Sequence, residues 1–187
     1  LASKRCKEVQ IEACKVLCTL ALNHMDNKTI IADNMIVIIE AMTFHAKCGE
    51  LQGEGCAALA TLSFRSPKNK RKIAALGGVD VILAAMKEHL ESQDVQVDGC
   101  KALASLAFDT ELQLKIAQEG GITVILNSMS FHVGKHPQVQ AEASKALSEL
   151  AYRCSDNKKA ICDNGGAETI VKAMEEHLRS EEHTSEL

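Results

Sequence analysis

The chain has 187 residues, with 21 lysine and arginine residues against 25 aspartate and glutamate residues, and its formal charge at pH 7 is -4. Apolar residues make up 46% of the chain but aromatic residues only 3%, and tryptophan is absent. The near-neutral charge argues against a dedicated nucleic-acid binder, and so few rings argue against a platform on which bases stack. No apolar run approaches the roughly 20 residues that a membrane-spanning helix needs, so we expect no membrane insertion.

The first predicted element is a long helix whose core, Val9-Gln10-Ile11-Glu12-Ala13-Cys14, returns three times along the chain. The copies are Leu51–Cys56, Val95–Cys100 and Val139–Ser144, and their starts lie 42, 44 and 44 residues apart. A period of this length indicates a solenoid, in which each unit covers the exposed apolar face of the next.

Each long helix carries an apolar stripe with helical spacing. In the third copy the stripe consists of Val95, Gly99, Ala102, Leu103, Leu106 and Ala107, and the leucines return as Leu17 and Leu20, Leu59 and Leu62, and Leu147 and Leu150. The glycine position alternates among Ala13, Gly55, Gly99 and Ala143. Glycine inside a helix costs roughly 1 kcal/mol relative to alanine, so we infer a close helix crossing that excludes larger side chains.

Two further helices follow each long helix in chain order. Helix-start signals come first, at Ser66-Pro67, Asp109-Thr110-Glu111 and Ser155-Asp156. A short helix then ends in Gly77-Gly78, Gly120-Gly121 or Gly165-Gly166, since paired glycines permit a sharp turn. A medium helix runs on to Met86 and His89 and their equivalents. The first unit has Asp33-Asn34-Met35 in place of the glycines, so we expect a different turn there.

The pattern predicts an all-α protein, an α-α superhelix of three-helix units over residues 1–178. The units are 1–50, 51–94, 95–138 and 139–178. Residues 179–187 resemble an in-frame reading of a sequencing adapter, so we expect a disordered tail there. Because residue 1 is leucine in an already helical pattern, we also expect the natural protein to extend beyond both ends. Apolar faces should then be uncovered at both ends, and self-association is possible.

The unit resembles an armadillo repeat. The string from Gly77 to His89, followed by Val95-Gln96 and Gly99-Cys100-Lys101-Ala102-Leu103, is similar to the armadillo repeats of leucine-rich-repeat kinases and of stand-alone proteins from protists and algae. The resemblance implies a right-handed superhelix whose long helices line a concave groove. It also implies a scaffold that binds proteins, without naming the partner.

The candidate groove residues form four rows, each made of equivalent positions on the four long helices. The first row is Glu12, Glu54, Asp98 and Glu142; the second is Lys15, Ala57, Lys101 and Lys145; the third is Thr19, Thr61, Ser105 and Glu149; the fourth and outermost is Leu22, Phe64, Phe108 and Tyr152.

Armadillo proteins of the importin type have tryptophan and asparagine ladders in the second and third rows, where they clamp basic peptides. This chain has neither ladder, which argues against binding of nuclear-import signals. It has acids and lysines three residues apart, which predict either a peptide-binding surface or a solvated face held by weak ion pairs of roughly 0.2–0.5 kcal/mol each.

Other patterns have mainly structural explanations. A Met-x-x-His motif, represented by Met42 and His45, returns in every unit, so we expect the histidine to bind carbonyls at a helix end rather than a metal. Cys14, Cys56 and Cys100 recur as small buried hydrophobes, which together with the missing signal peptide favours a reducing compartment. No cysteine spacing fits zinc, and no glycine-rich loop has phosphate-binding form.

A basic cluster surrounds Ser66-Pro67 and consists of Arg65, Lys68, Lys70, Arg71 and Lys72. It could bind an anionic ligand, nucleic acid or lipid, or act as a nuclear-import signal, but the solvated outer face of a short helix is the favoured interpretation.

The sequence therefore predicts a non-catalytic scaffold without cofactor or metal, which binds an extended or helical protein segment in the groove. The alternative is the regulatory region of a larger enzyme such as a kinase. We expect a cytoplasmic protein, with a nuclear location also possible.

Overall fold

The computed structural model describes the backbone of residues 6–185 and the side chains of residues 6–178. Over this range the chain contains twelve α-helices and no strand, which confirms the all-α prediction. In chain order the helices are α1 (Lys7–Ala21), α2 (Met25–Ala32), α3 (Ile36–Phe44), α4 (Gly49–Ser63), α5 (Pro67–Ala75), α6 (Gly78–Glu88), α7 (Gln93–Leu106), α8 (Thr110–Gln118), α9 (Gly121–His132), α10 (Pro137–Ala151), α11 (Ser155–Asp163) and α12 (Gly166–Ser185).

The helices form a stack of long, short and medium members. The long helices α1, α4, α7 and α10 pack side by side in chain order and make the most extensive contacts among the described helices. The medium helices α3, α6, α9 and α12 form a second layer, in which each contacts the next medium helix. Each short helix packs on the end of the long helix before it. Each layer therefore runs from unit to unit along the stack, as expected of a solenoid.

The glycine pairs make the turn from short to medium helix, as the sequence predicts. Gly120 has a left-handed φ of 83°, a conformation that side chains other than glycine adopt rarely. Gly121 follows with no room for a Cβ, which would lie 2.7 Å from the carbonyl oxygen of Ile116. The first unit turns differently, because Asp33 and Met35 are both right-handed.

The predicted helix starts are confirmed at two places and displaced at a third. Asp109 caps α8 by accepting a hydrogen bond from the backbone N–H of Glu111 at 3.1 Å. Pro67 occupies the first turn of α5. In the last unit the helix begins one residue earlier than predicted: Ser155 is its first residue and Cys154 is its N-cap.

Methionines of the medium helices fill the space that the small residues of the long helices leave. Met42 and Met86 are both fully buried. A Cβ on Gly55 would lie 2.5 Å from Sδ of Met42, and one on Gly99 would lie 2.6 Å from Cγ of Met86. The close crossing inferred from the sequence is therefore the junction between one unit's medium helix and the next unit's long helix.

Glutamines next to this contact bind the end of the preceding medium helix. The side-chain amide of Gln96 donates to the carbonyl oxygens of Met86 and His89, both at 2.9 Å. Gln52 makes the same pair of bonds to Met42 and His45 in the junction before it. The last carbonyls of a helix have no partner within the helix, so these bonds satisfy groups that burial would otherwise leave unpaired.

Apolar side chains are exposed at both ends of the stack, as the sequence predicts. Leu20 of α1 is 50% exposed, whereas its equivalents Leu62, Leu106 and Leu150 are buried. Met174 of α12 is 61% exposed, although the methionines at its position in the other units are fully buried. Neither end helix is covered by a further unit in the described structure.

The last helix extends beyond residue 178, where the predicted repeat array ends. Helix α12 continues to Ser185, and the expected disorder of residues 179–187 stays a prediction. This segment contains neither proline nor glycine, so nothing in its sequence ends the helix after Leu178. Residues 186 and 187 lie outside the described residues, and the adapter origin of the tail stays a prediction.

The junction contact predicts a large difference between two equivalent substitutions. Gly99→Val should lower the free energy of unfolding by about 1–3 kcal/mol, because the added side chain overlaps Met86 in a filled core. Ala13→Val places the same side chain at the equivalent but exposed position of α1, and its effect should stay within about 0.5 kcal/mol. Urea denaturation of both variants measures the difference, and equal effects would contradict the packing described.

Candidate protein-binding face

The candidate groove residues lie along one surface, which we call the long-helix face: the four rows of positions defined above on α1, α4, α7 and α10. Because these helices pack side by side, equivalent residues of successive units become neighbours across the face. Each row therefore crosses the stack from unit to unit.

The first lysine of the second row pairs with acids from two units. Lys15 Nζ lies 3.0 Å from a carboxylate oxygen of Glu12 on its own helix and 3.1 Å from one of Glu50 on α4. The hydrogen bonds to Glu12 and Glu50 raise the pKa of Lys15. This lysine is therefore held between two carboxylates but keeps much of its surface in solvent.

The remaining lysines repeat the pairing within their own helices. Lys101 Nζ lies 3.0 Å from Asp98, and Lys145 Nζ lies 4.0 Å from Glu142. The predicted pairs at a separation of three residues are thus present in three of the four units. The lysines of these two pairs are 39% and 62% exposed, whereas Asp98 and Glu142 are only 23% and 21% exposed. Pairs that water reaches contribute about 0–1 kcal/mol to stability, so a partner can compete for the charges of the lysines.

The second unit interrupts the lysine row, because Ala57 offers no charge beside Glu54. A cavity of about 500 Å³ opens here between α4 and α7, and it is lined by Gly49, Glu50, Gly53, Glu54, Ser92, Asp94 and Asp98. Burial and the nearby carboxylates, led by Asp98, raise the pKa of Glu54, while Lys15 lowers it. This part of the face is its most acidic stretch among the described residues.

The third row is less accessible than the sequence predicts. Ser105 is buried, and it accepts a hydrogen bond of 2.8 Å from the hydroxyl of Ser63 on the neighbouring long helix. Ser105 therefore offers little surface to a partner, because the close approach of α4 and α7 encloses it, and its place in the binding surface stays a prediction. Thr61 is half-buried beside Cys18, with 3.2 Å between the oxygen and the sulfur. Thr19 is exposed and Glu149 partly exposed, so both stay candidates.

The fourth row is the most exposed of the four. Its members Leu22, Phe64, Phe108 and Tyr152 are 50–64% exposed, and they stand where each long helix ends. The rings lie beside cations: the guanidinium of Arg153 is 5.2 Å from the centre of the Tyr152 ring. Exposed rings paired with cations form the apolar edge of the face.

The basic cluster contributes to contacts between units. Lys70 is buried, with its ammonium 4.8 Å from the centre of the Phe108 ring, and burial lowers its pKa. Arg71 pairs with Asp109 of the next unit at 3.2 Å, and Lys72 pairs with Asp33 of the previous one at 3.2 Å. The solvated outer face predicted from the sequence is thus only part of its role.

The two remaining members of this cluster face solvent. Arg65 places its guanidinium 5.1 Å from the Phe64 ring, and Lys68 is exposed.

Polar side chains at the start of the short helices connect successive units, which the sequence patterns do not indicate. Lys28 is buried and donates to the carbonyl oxygen of Phe64 at 3.1 Å. Gln113, in the same position two units later, donates to the carbonyl oxygens of Glu149 and Tyr152. Their partners lie 36 to 39 residues away. The sequence gives one signal for these contacts: a polar residue recurs three positions before the isoleucine that is repeated in each short helix.

The histidines of the Met-x-x-His motif are structural, but their partners differ from the prediction. Nε2 of His89 lies 2.7 Å from the carbonyl oxygen of Ala46, and Nε2 of His132 lies 2.7 Å from that of Leu90. Each ring thus binds the loop that follows the previous unit's medium helix, rather than carbonyls of its own helix. Among the described residues, no three histidine, cysteine or acidic side chains are placed to hold a metal ion.

The repeated cysteines are buried thiols. Burial raises the pKa of Cys14 to about 11 and raises those of Cys56 and Cys100 further. The thiolate form is therefore scarce at neutral pH, which makes these side chains poor nucleophiles. Within residues 6–185 no helix has the length and hydropathy to cross a membrane.

Comparison with known families decides the classification. A family model described as the LRRK2 ARM repeat matches residues 3–184. The chain belongs to this armadillo-repeat family. Armadillo repeats are generally used for protein–protein interaction and are typically not catalytic. No functionally curated protein gives a significant match to the sequence.

Two solved structures of engineered proteins resemble this armadillo chain. Both come from a structural genomics consortium. The first is 28% identical, with a TM-score of 0.79 over 90% of this chain and 66% of its own length. The second is 21% identical, with a TM-score of 0.73 over 87% and 65%. The chain therefore spans about two thirds of these engineered proteins, and the second similarity supports the fold alone.

The buried His132 predicts that stability falls in mild acid. Burial lowers the pKa of this imidazole; the hydrogen bond to the Leu90 carbonyl opposes this shift, and the nearby His136 and Lys135 reinforce it. The unfolded chain then binds more protons than the folded one below the ordinary histidine pKa of about 6.5, so the free energy of unfolding decreases as the pH falls through that value. His132→Gln should show a smaller decrease between neutral and mildly acidic pH in urea denaturation. An unchanged pH dependence would contradict this assignment.

Proposed function

We propose that this armadillo-repeat chain is a non-catalytic scaffold that binds an extended or helical protein segment on its long-helix face. The observation that carries this proposal is the contrast between two sets of charges. Two cations of the short helices, Lys28 and Lys70, are buried in contacts between units. The three lysines of the second row instead keep 38–62% of their side-chain surface exposed, in pairs that contribute little to stability.

The partner's chemistry follows from the arrangement of the rows. The acids and lysines alternate across the face, so a bound segment would present charges of both signs at the spacing of the units. The exposed ends of the long helices would accept apolar side chains on Leu22, Phe64, Phe108 and Tyr152. Affinity would be spread over many modest contacts, and polar rows would supply specificity more than strength.

A triple charge reversal tests the proposal. Lys15→Glu, Lys101→Glu and Lys145→Glu together should weaken capture of the main protein partner about 10-fold or more, since each reversal replaces an attraction of roughly 0.5–1 kcal/mol to an acidic group of the partner by repulsion. Crosslinking followed by affinity purification from cells provides the measurement, with helicity checked by circular dichroism.

A matched control separates position from charge. Lys87→Glu, Lys135→Glu and Lys172→Glu change the net charge equally at exposed sites outside the long-helix face. This control should retain the partner. If both triple variants bind as the original chain does, the binding site lies elsewhere.

A second candidate is that these repeats form the regulatory region of a larger enzyme, such as a kinase. The match to a family named for the armadillo repeats of LRRK2 favours this candidate. The complete transcript distinguishes the two: kinase or GTPase motifs in the same reading frame would support the regulatory role. For either function we propose a cytoplasmic location, with the nucleus as the alternative, and imaging of a fluorescent fusion tests it.

A further inference from the structure

Ser66 is the N-cap residue of helix α5, but its hydroxyl group does not cap the helix. Its carbonyl accepts the first backbone bond of the helix, from the N–H of Lys70 at 3.1 Å, while its side chain makes no capping hydrogen bond. The N–H groups of Lys68 and Asn69 lie in the first turn, where a helix has no carbonyl to offer them. Ser66 is half-buried, in an extended backbone conformation. Its hydroxyl is therefore available for another use.

The charges around Ser66 are positive. Arg65 and Lys68 are exposed on either side of it, and within residues 6–178 neither of these side chains has a carboxylate at ion-pair distance. Lys28 of the first unit donates to the carbonyl of Phe64 at 3.1 Å. Burial lowers the pKa of Lys28, and the positive charge of Arg65 lowers it further. The start of α5 therefore collects positive charges that repel one another.

The next unit shows what an acid does at the same position. Asp109 is the N-cap of α8, as Ser66 is of α5. One carboxylate oxygen of Asp109 accepts from the N–H of Glu111 at 3.1 Å, and the other pairs with Arg71 at 3.2 Å. Burial lowers the pKa of Lys70, and Asp109 opposes this shift. A negative group at the N-cap thus caps the helix and offsets the cations beside it.

The sequence around Ser66 is unique in the chain. Pro67 is the only proline that follows a serine or a threonine, because Pro137 follows a histidine. Proline has no backbone N–H, so a protein kinase that uses this serine must accept a substrate without that donor directly after it. Proline-directed kinases have this specificity.

We propose that Ser66 is a phosphorylation site for a proline-directed protein kinase, and that the phosphate caps α5 as Asp109 caps α8. In the transfer, Oγ of Ser66 attacks the γ-phosphorus of ATP held by the kinase. A new bond forms between this oxygen and the phosphorus, the bond from the phosphorus to the β,γ-bridging oxygen breaks, and ADP leaves. The hydroxyl proton passes to a base of the kinase. This inference does not depend on the proposed function.

The phosphate would act through its charge, which is about -1.5 to -2 at neutral pH. Its oxygens would accept from the N–H groups of Lys68 and Asn69, where the helix dipole also favours a negative charge. The side chains of Arg65 and Lys68 would pair with it, and the negative charge would offset the repulsion between Arg65 and Lys28. Phosphorylation should therefore stabilise α5 and its contact with the first unit.

The first experiment determines whether the folded chain is a substrate. The whole chain is incubated with a purified proline-directed kinase and Mg-ATP, and mass spectrometry locates the phosphate. We expect one phosphate, on Ser66, and none in the Pro67→Ala variant, which keeps the serine. A peptide of residues 62–72 serves as the unfolded control. The proposal is overturned if this peptide is not phosphorylated, or if the peptide is phosphorylated and Ser66 in the folded chain is not.

The second experiment measures the capping effect. At low ionic strength the Tm of the phosphorylated chain should exceed that of the unmodified chain by about 1–4 °C, and added salt should reduce the difference. Ser66→Asp should give a smaller rise, since it adds less charge. An unchanged or lower Tm after phosphorylation would show that the phosphate does not cap α5.

Ser92→Asp is the matched control, because Ser92 is also an N-cap serine but lies in acidic surroundings. Its hydroxyl already accepts from the N–H of Val95 at 3.4 Å, and Glu91 and Asp94 are close to it in sequence. Ser92→Asp should not raise the Tm. An equal rise in Ser92→Asp and Ser66→Asp would overturn the role assigned to the cations around Ser66.

Discussion

Each junction in this stack depends on a methionine near the end of a medium helix, which fills the space left by a small residue on the next long helix. The contact between Met86 and Gly99 leaves no room for a Cβ. It sets how closely the helices cross and therefore the angle at which each unit follows the last. Because a unit buries its apolar surface mainly against its neighbours, stability is a property of the junctions rather than of single units.

The character of the long-helix face follows from this constraint. The apolar side of each long helix is used in the junctions and in the contact between long helices, so the positions left on the outside carry acids, lysines and threonines. Their unit-to-unit repetition gives a partner segment a regular array to bind. Partly exposed pairs such as Lys101 and Asp98 stabilise the fold little, so substitutions that adapt the face to a partner would change the stability of the stack little.

The repeat made the helices and the apolar stripe predictable, since four copies of one pattern reveal which features a unit needs. The left-handed turn at Gly120 and the small residue at Gly99 follow from such repetition. The burial of Ser105 and the bond from Gln113 to the Tyr152 carbonyl could not be predicted, because both depend on the register between helices about 40 residues apart. The positions of the surface rows could be predicted from the sequence, but the solvent exposure of their side chains could not be predicted.

Amide hydrogen exchange tests the central claim of neighbour-dependent stability most directly. At a concentration low enough to keep the chain monomeric, protection should be greatest in α6, α7 and α9, which have units on both sides, and should decrease toward α1 and α12. Equal protection of α1 and α7 would contradict the account, because it would mean that each helix is stable without the junctions on which the stack depends.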